Sequence, residues 1–410
     1  MMLKLHIPIC AIRILTRRRR HRPFPSLVRF RSAAAELLPD RHSWGHVVDD
    51  ITAKIPTPSP RLSGLPGYGR GRAGAAQVFA HRLGSNEAPD APDAAVRQAV
   101  AMAFGAANRY PDLRGETLGA ALAHRHGVEA DQVAVAAGSI VLLDQLVRAY
   151  CDAGDEIVTA WRSYEAYPII AGLSGARLVE VPLDGDHRLD AASFRAAVGS
   201  RTKAVLICNP NNPTGTALAP DALDGVLDAM PTDILIILDE AYCDYDGSAE
   251  AVAASPEQRL ARHPNLVILR TFSKAWGLAG LRVGYAMAAP EIILAVHAVA
   301  PPFPLPGVAL AAALAALDLA ESVAARVDRN ATERLRLTHG IAALGLSVAQ
   351  SRANFVWLPV GLQAEALNAH LAGVGIAARC FAREGVRITT GTAGDTDAVL
   401  DALARFRPND

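Results

Sequence analysis

Lysine is almost missing from this chain. Of its 41 basic residues all are arginine except Lys4, Lys54, Lys203 and Lys274. Acidic residues are missing from the first 31 positions, which hold nine basic ones, Arg17 to Arg20 among them. Cysteine is sparse: Cys10, Cys151, Cys208, Cys243 and Cys380 are odd in number and form no CxxC pair. That argues against a disulfide framework or a cysteine zinc site, and for the reduced thiols of a cytoplasmic protein. No apolar run is both long and clean enough to span a bilayer. The stretch from Glu291 to Ala320 is interrupted by His297, Pro301, Pro302, Pro304 and Pro306.

With 410 residues, 51% of them hydrophobic and 20% charged, the chain has the balance of a globular protein with a large core and room for two domains. Its net charge of zero hides an asymmetry. Beyond residue 31 there remain 32 basic and 41 acidic residues, a net of −9. The basic start has three readings: a transit peptide, a nucleic-acid arm, or a disordered or mis-started leader. The leader reading, over 1–50, is preferred, because an acidic body argues against nucleic acid as the main partner. Nothing points to a membrane.

Residues 50–75 are rich in proline and glycine and read as an extended arm. From about 130 to 290, short apolar runs alternate with helical stretches. "QVAVAA", "DEIVTA", "ARLVEVP", "KAVLIC", "ILIILD", "NLVILR" and "RVGYAMA" read as strands. Such near-continuous apolar strands separated by helices argue for a mainly parallel sheet covered on both faces. After about 305 an Ala-rich helix is followed by "LSVAQS", "ANFVWLP", a helix, "GIAAR", "VRITTG" and a final helix. This reads as a smaller α+β unit.

In a sheet of this kind ligands gather beyond the carboxyl ends of the strands. The polar punctuation falls there: "AGS", "NPNNPTG", "DEAY" and "TFSK" each follow a strand. Lys274 directly follows one of them. A desolvated lysine loses its charge and becomes a nucleophilic amine that forms a Schiff base with a carbonyl; a surface lysine is the ordinary alternative. Thr271, Ser273, Arg282 and the backbone of "AGS", ending at Ser139 where a helix starts, would make a phosphate cradle. Asp239 ends "ILIILD" and suits a metal, a phosphate-site partner or a protonated ring nitrogen. Glu240 beside it reads as outward and structural. Asn212 and Tyr242 each offer a donor to a ring oxygen, although a proline-rich turn needs no function.

Taken together, "RTFSKAWGLAGLRVGY", "NPNNPTG", "DEAY" and "YPD" resemble the fold-type-I pyridoxal-phosphate-dependent aminotransferases. The likeness is to the branch holding histidinol-phosphate and aromatic-amino-acid aminotransferases, over roughly residues 60–408. The resemblance implies an α/β fold: a mainly parallel seven-stranded sheet in a large domain with a smaller α+β domain. It divides the chain into an arm with part of the small domain (51–105), a large cofactor-binding domain (106–300) and a C-terminal small domain (301–410). The implied cofactor is pyridoxal 5'-phosphate, held by Lys274 as a Schiff base. Asp239 would pair with the ring nitrogen, Asn212 and Tyr242 with the ring hydroxyl, and Tyr164 would stack on the ring. Ser139, Thr271, Ser273 and Arg282 would hold the phosphate, with Tyr110 reaching it from the other subunit of a homodimer.

For substrate, the resemblance points to Arg387 in "EGVRITTG" as the clamp for a carboxylate, whose two oxygens suit a planar fork. Arg379 stands eight residues earlier as a helper. Tyr68 sits where the family arm places an aromatic over the substrate. Asn86, in "LGSNEAP", reads as shaping the arm's turn. "APDAPD" follows "SNE" where the family shows a Gly-Pro pattern, which leaves the arm's course open. The phrasing of "WRSYEAYP" favours an aromatic L-amino acid with a 2-oxo acid such as 2-oxoglutarate as substrates. Histidinol phosphate is the alternative, and a decarboxylase on the same scaffold is a further one.

Overall fold

The computed structural model describes residues 56–68, 78–248 and 255–407. The basic leader at 1–50 lies outside them, as does part of the arm. Strand β1 (His81–Arg82) comes first, then β2 (Val133–Ala136), β3 (Glu156–Trp161), β4 (Arg177–Pro182) and β5 (Thr202–Cys208). β6 (Leu235–Asp239), β7 (Leu266–Thr271) and β8 (Gly284–Ala288) follow, and then β9 (Phe355–Leu358), β10 (Ile376–Ala377), β11 (Arg379–Phe381) and β12 (Gly385–Thr389).

Seven strands form one sheet in the order β2-β8-β7-β6-β5-β3-β4. All its pairings are parallel except those of β8, which runs antiparallel to both neighbours. The strands are buried on both faces, as near-continuous Val, Ile and Leu runs require. Val158, Val205, Ile207, Ile236, Leu238 and Ile268 pack on one side. Ile157, Leu206, Leu235, Ile237, Val267 and Leu269 pack on the other. Each such side chain, fully withdrawn from water, contributes roughly 1.5–3 kcal/mol before conformational entropy is charged.

A second sheet, β11-β12-β9, is antiparallel and sets Arg379 opposite Arg387. β1 pairs with β10, and Thr389 at the end of β12 bonds back to the Leu83 carbonyl at 2.8 Å. The segment "LSVAQS" forms no strand. It makes one ladder-like bond, Ala349 N–H to the Trp357 carbonyl at 3.1 Å, before the Ser351 hydroxyl accepts from Ala353 N–H and turns the chain. "GIAAR" is split at Ala378 between two sheets. Among the described residues no single helix is long and apolar enough to cross a membrane.

The sheet topology decides where the loops go. β3, β5, β6 and β7 are parallel, so their carboxyl ends share one edge. β8 is reversed, with Gly284 opposite Thr271, so the residues that enter it, Arg282 included, stand at that same edge. β2 runs against β8 with Ala136 opposite Gly284, which brings Ser139 there too.

Candidate active site

That edge opens into a cleft of about 550 Å³. Its walls include Tyr68, Ser139, Tyr164, Asn212, Asp239, Tyr242, Thr271, Ser273, Lys274, Arg282 and Arg387. Residues scattered over more than 300 positions thus meet in one place. Arg379 does not line it, and neither does Tyr110. Tyr110 is 82% exposed and stacks on Phe303, with ring centroids 4.5 Å apart. Arg379 is buried and gives its guanidinium to Glu165, at 2.5 Å from Nη2 and 3.1 Å from Nε.

One end of the cleft is a nest of donors. The helix Ser139–Tyr150 begins there, directing its free backbone N–H groups and its positive end into the space. Thr271 Oγ1 donates to Ser273 Oγ at 2.9 Å or to the Val283 carbonyl at 3.2 Å. Arg282 Nη1 reaches Ser273 Oγ at 3.3 Å. Two glycines permit this crowding. Gly138 has φ +96° and lies against the Arg282 guanidinium, while a Cβ on Gly284 would run into the backbone of Gly138 and Ser139. Hydroxyls, a helix start and a fixed cation, with no carboxylate in the group, fit a phosphate.

The other end is apolar and acidic at its floor. Asp239 closes β6 and is 7% exposed. Tyr167 donates its hydroxyl to Asp239 Oδ2 at 2.9 Å, and Ala241 N–H donates to Oδ1 at 3.2 Å. Burial pushes the Asp239 carboxyl up, and the Tyr167 bond opposes that. Lys274 lines the same cleft. Its Nζ donates to the Ser85 carbonyl at 3.2 Å and lies 5.7 Å from the Tyr242 ring centre.

The family now follows. Residues 81–406 match the model of the family described as aminotransferase class I and II. The chain belongs to that family. An aromatic amino acid aminotransferase of Corynebacterium jeikeium (strain K411) is 45% identical over 356 residues, 85% of this chain and 94% of the relative. One of Rhodococcus jostii (strain RHA1) is 45% identical over 319 residues, 78% of this chain and 88% of its own. Among solved structures, histidinol-phosphate aminotransferase from Sinorhizobium meliloti in complex with pyridoxal-5'-phosphate is 31% identical. It superposes with a TM-score of 0.74, covering 80% of this chain and 90% of that one. This aminotransferase is pyridoxal-phosphate-dependent, with the fold-type-I architecture.

The aminotransferase holds its arginines differently from one another. Arg387 is buried, gives Nη1 to Asn212 Oδ1 and Nη2 to the Gly84 carbonyl at 2.9 Å, and leaves Nε without a protein partner. Burial lowers the proton affinity of Arg387, and Tyr242 opposes this. Asn212, its carbonyl oxygen taken, has its amide nitrogen to offer a ligand. Burial raises the Tyr242 and Tyr164 hydroxyls above the ordinary phenol range, so both stay protonated donors. Tyr68 meets Tyr164 hydroxyl to hydroxyl at 3.3 Å.

Glu240 is not outward. It is buried and pairs with Arg270 at 2.7 Å and Arg259 at 3.5 Å, a structural role all the same. Two site residues escape a reading of the motifs alone. Tyr167 lies inside "WRSYEAYP" three places after Tyr164, where a turn closed by its N–H on the Tyr164 carbonyl at 3.0 Å leads into a helix and brings the two rings together. Asn86 does more than shape a turn: its Nδ2 donates to the Tyr242 hydroxyl at 2.9 Å, and it holds φ +56° while bonded to Thr389.

Proposed function

We propose that this aminotransferase acts on aromatic L-amino acids, passing the amino group to a 2-oxo acid such as 2-oxoglutarate. The observation that carries the reading is the placement of Arg387: a buried guanidinium whose Nε has no protein partner, beside Asn212, at a cleft walled by Tyr68 and Tyr164. A carboxylate on the fork would lay the rest of the substrate against rings. The names of the Corynebacterium and Rhodococcus relatives support the same substrate class.

Pyridoxal 5'-phosphate supplies an aldehyde and an electron-withdrawing ring that stabilises negative charge at the substrate Cα. The positions of the residues in the cleft support the following roles. Lys274 Nζ would hold the cofactor and would serve as the acid/base for the proton at the substrate Cα. Asp239 would pair with the ring nitrogen. Asn212 and Tyr242 would orient the ring through its hydroxyl, and Tyr164 would stack on it. Ser139, Thr271, Ser273 and Arg282 fix the phosphate. Arg387 holds the substrate carboxylate, and Tyr68 shields it from water. Arg379, tied to Glu165, shapes the wall behind Arg387.

The protein is proposed to work in the cytoplasm as a homodimer with a shared active site, Tyr110 serving the partner's cleft. The exposure of Tyr110 supports this. The pairing of β1 with β10 supports assigning 51–105 to the arm and part of a small domain completed by 301–410, around a large domain at 106–300.

A half-reaction panel with phenylalanine, tyrosine, glutamate and histidinol phosphate tests the substrate. The two aromatic amino acids rank highest in kcat/KM. A leading histidinol phosphate would install the second reading, which the Sinorhizobium structure favours. Carbon dioxide release without a 2-oxo acid product would overturn both.

A further inference from the structure

We propose that Tyr167 is a positioning residue for the reaction: its hydroxyl fixes the plane of the Asp239 carboxylate and keeps it ionised where the cofactor's ring nitrogen must meet it. The inference rests on the assignment of Asp239 to that nitrogen. Tyr167 is wholly buried in the hydrophobic core and opens the helix Tyr167–Ser174, with Pro168 behind it. Its ring is packed edge-on against Tyr164, centroids 5.5 Å apart at 85°. It has no rotational freedom to spend, and its one polar atom stands 2.9 Å from Asp239 Oδ2.

A buried carboxylate has two oxygens and about four acceptor directions to fill. The chain fills one on each oxygen: Tyr167 on Oδ2 and Ala241 N–H on Oδ1. Two donors on different oxygens stop the carboxylate from turning about Cβ–Cγ, and they leave room for a third donor from the cleft. Backbone N–H fixes one side by geometry alone. The other side depends on a single phenol.

The same bond decides charge. The titratable groups that face Asp239 are Tyr164, Tyr167, Cys208, Glu240, Tyr242 and Lys274. Burial and Glu240 favour the neutral acid; Tyr167 is the leading influence in the other direction, ahead of Ala241 and Lys274. Cys208, its thiol kept protonated by burial first and by Asp239 next, gives its S–H to the Pro210 carbonyl at 3.4 Å instead. Without the phenol Asp239 would accept a proton at higher pH. A protonated Asp239 no longer favours a protonated ring nitrogen.

The test is the affinity of the apoenzyme for pyridoxal 5'-phosphate, read by calorimetry across pH, for the wild type, Tyr167→Phe, Asp239→Asn and the double variant. Phenylalanine keeps the ring packing and removes only the donor. Tyr167→Phe weakens binding roughly tenfold, as for a lost hydrogen bond to a charged group. Its acid-side loss of affinity moves to higher pH. In the Asp239→Asn background Tyr167→Phe changes nothing further, because it acts through that carboxylate. Wild-type affinity and pH profile in Tyr167→Phe beside a weakened Asp239→Asn overturns this inference alone, as does full additivity of the two. An Asp239→Asn protein that binds like the wild type overturns the parent assignment, and this one with it.

Discussion

Gly138 makes room for the guanidinium of Arg282. A Cβ at position 138 would overlap Nη2, and the residue's φ of +96° is one that side chains rarely adopt. Arg282 is itself held in a left-handed conformation, φ +56°, at the end of a short turn. The donor-rich end of the cleft is therefore fixed by backbone as much as by side chains. Gly138→Ala adds strain of about 1–3 kcal/mol and pushes Arg282 off Ser273. The apoenzyme should bind pyridoxal 5'-phosphate at least tenfold more weakly, in a direct titration, while kcat at saturating cofactor falls much less.

Arg387 is expected to be irreplaceable even by the other cation. Lysine puts its donors on one compact nitrogen, where Asn212, Gly84 and a substrate carboxylate call for the spread nitrogens of a planar fork. Arg387→Lys and Arg387→Ala should each lower kcat/KM for amino acids by roughly 10–100-fold, the scale of one or two charge-assisted hydrogen bonds. Cofactor affinity should change little, and steady-state kinetics beside a cofactor titration separates the two.

Asn86 combines a strained backbone with three contacts. It bonds Tyr242 and Thr389, and its carbonyl accepts from Asn354 at 3.2 Å. Asn86→Gly loses the side-chain bonds but keeps φ +56° at no steric cost. Asn86→Ala loses the same bonds and adds the left-handed penalty of about 1–2 kcal/mol. Thermal unfolding should rank wild type above Gly and Gly above Ala; an Ala variant as stable as Gly would remove backbone strain from the account.

His126 gives the fold an acid-sensitive point away from the cleft. Its Nε2 is 3.0 Å from the Tyr285 hydroxyl. Burial first, then the charges of Arg270 and Arg125, lower its proton affinity to about 3. An unfolded histidine takes its proton near 6.5. The folded state must therefore exclude a proton that the unfolded state binds between those values. Stability should fall as pH drops from about 6.5 towards 3, by at most ~1.4 kcal/mol per unit from this group. Denaturant titrations of His126→Gln should show a shallower decline over that window.

Much of this was legible in the sequence because the sheet's chemistry is local. Each of "AGS", "NPNNPTG", "DEAY" and "TFSK" ends a strand, and parallel strands carry such ends to one edge. What was not legible depends on distance along the chain. The partners of Asp239 and Tyr242 are Tyr167 and Asn86, 72 and 156 residues away. Nothing in either neighbourhood marks the other. "LSVAQS" stands in the α+β series yet forms no strand for a related reason: a strand needs a partner edge, and this segment meets β9 through one bond only. Glu240 read as outward because acids usually are, and its two arginines lie 19 and 30 residues on.

The central claim is that Lys274 carries the cofactor. The scarcity of lysine makes the test clean, since only Lys4, Lys54 and Lys203 could compete. Borohydride reduction of the holoenzyme, followed by proteolysis and mass spectrometry, should place one pyridoxyl group on the peptide containing Lys274. Lys274→Ala should show no such adduct and no turnover. A pyridoxyl group on any other lysine, or turnover that survives Lys274→Ala, would contradict the account.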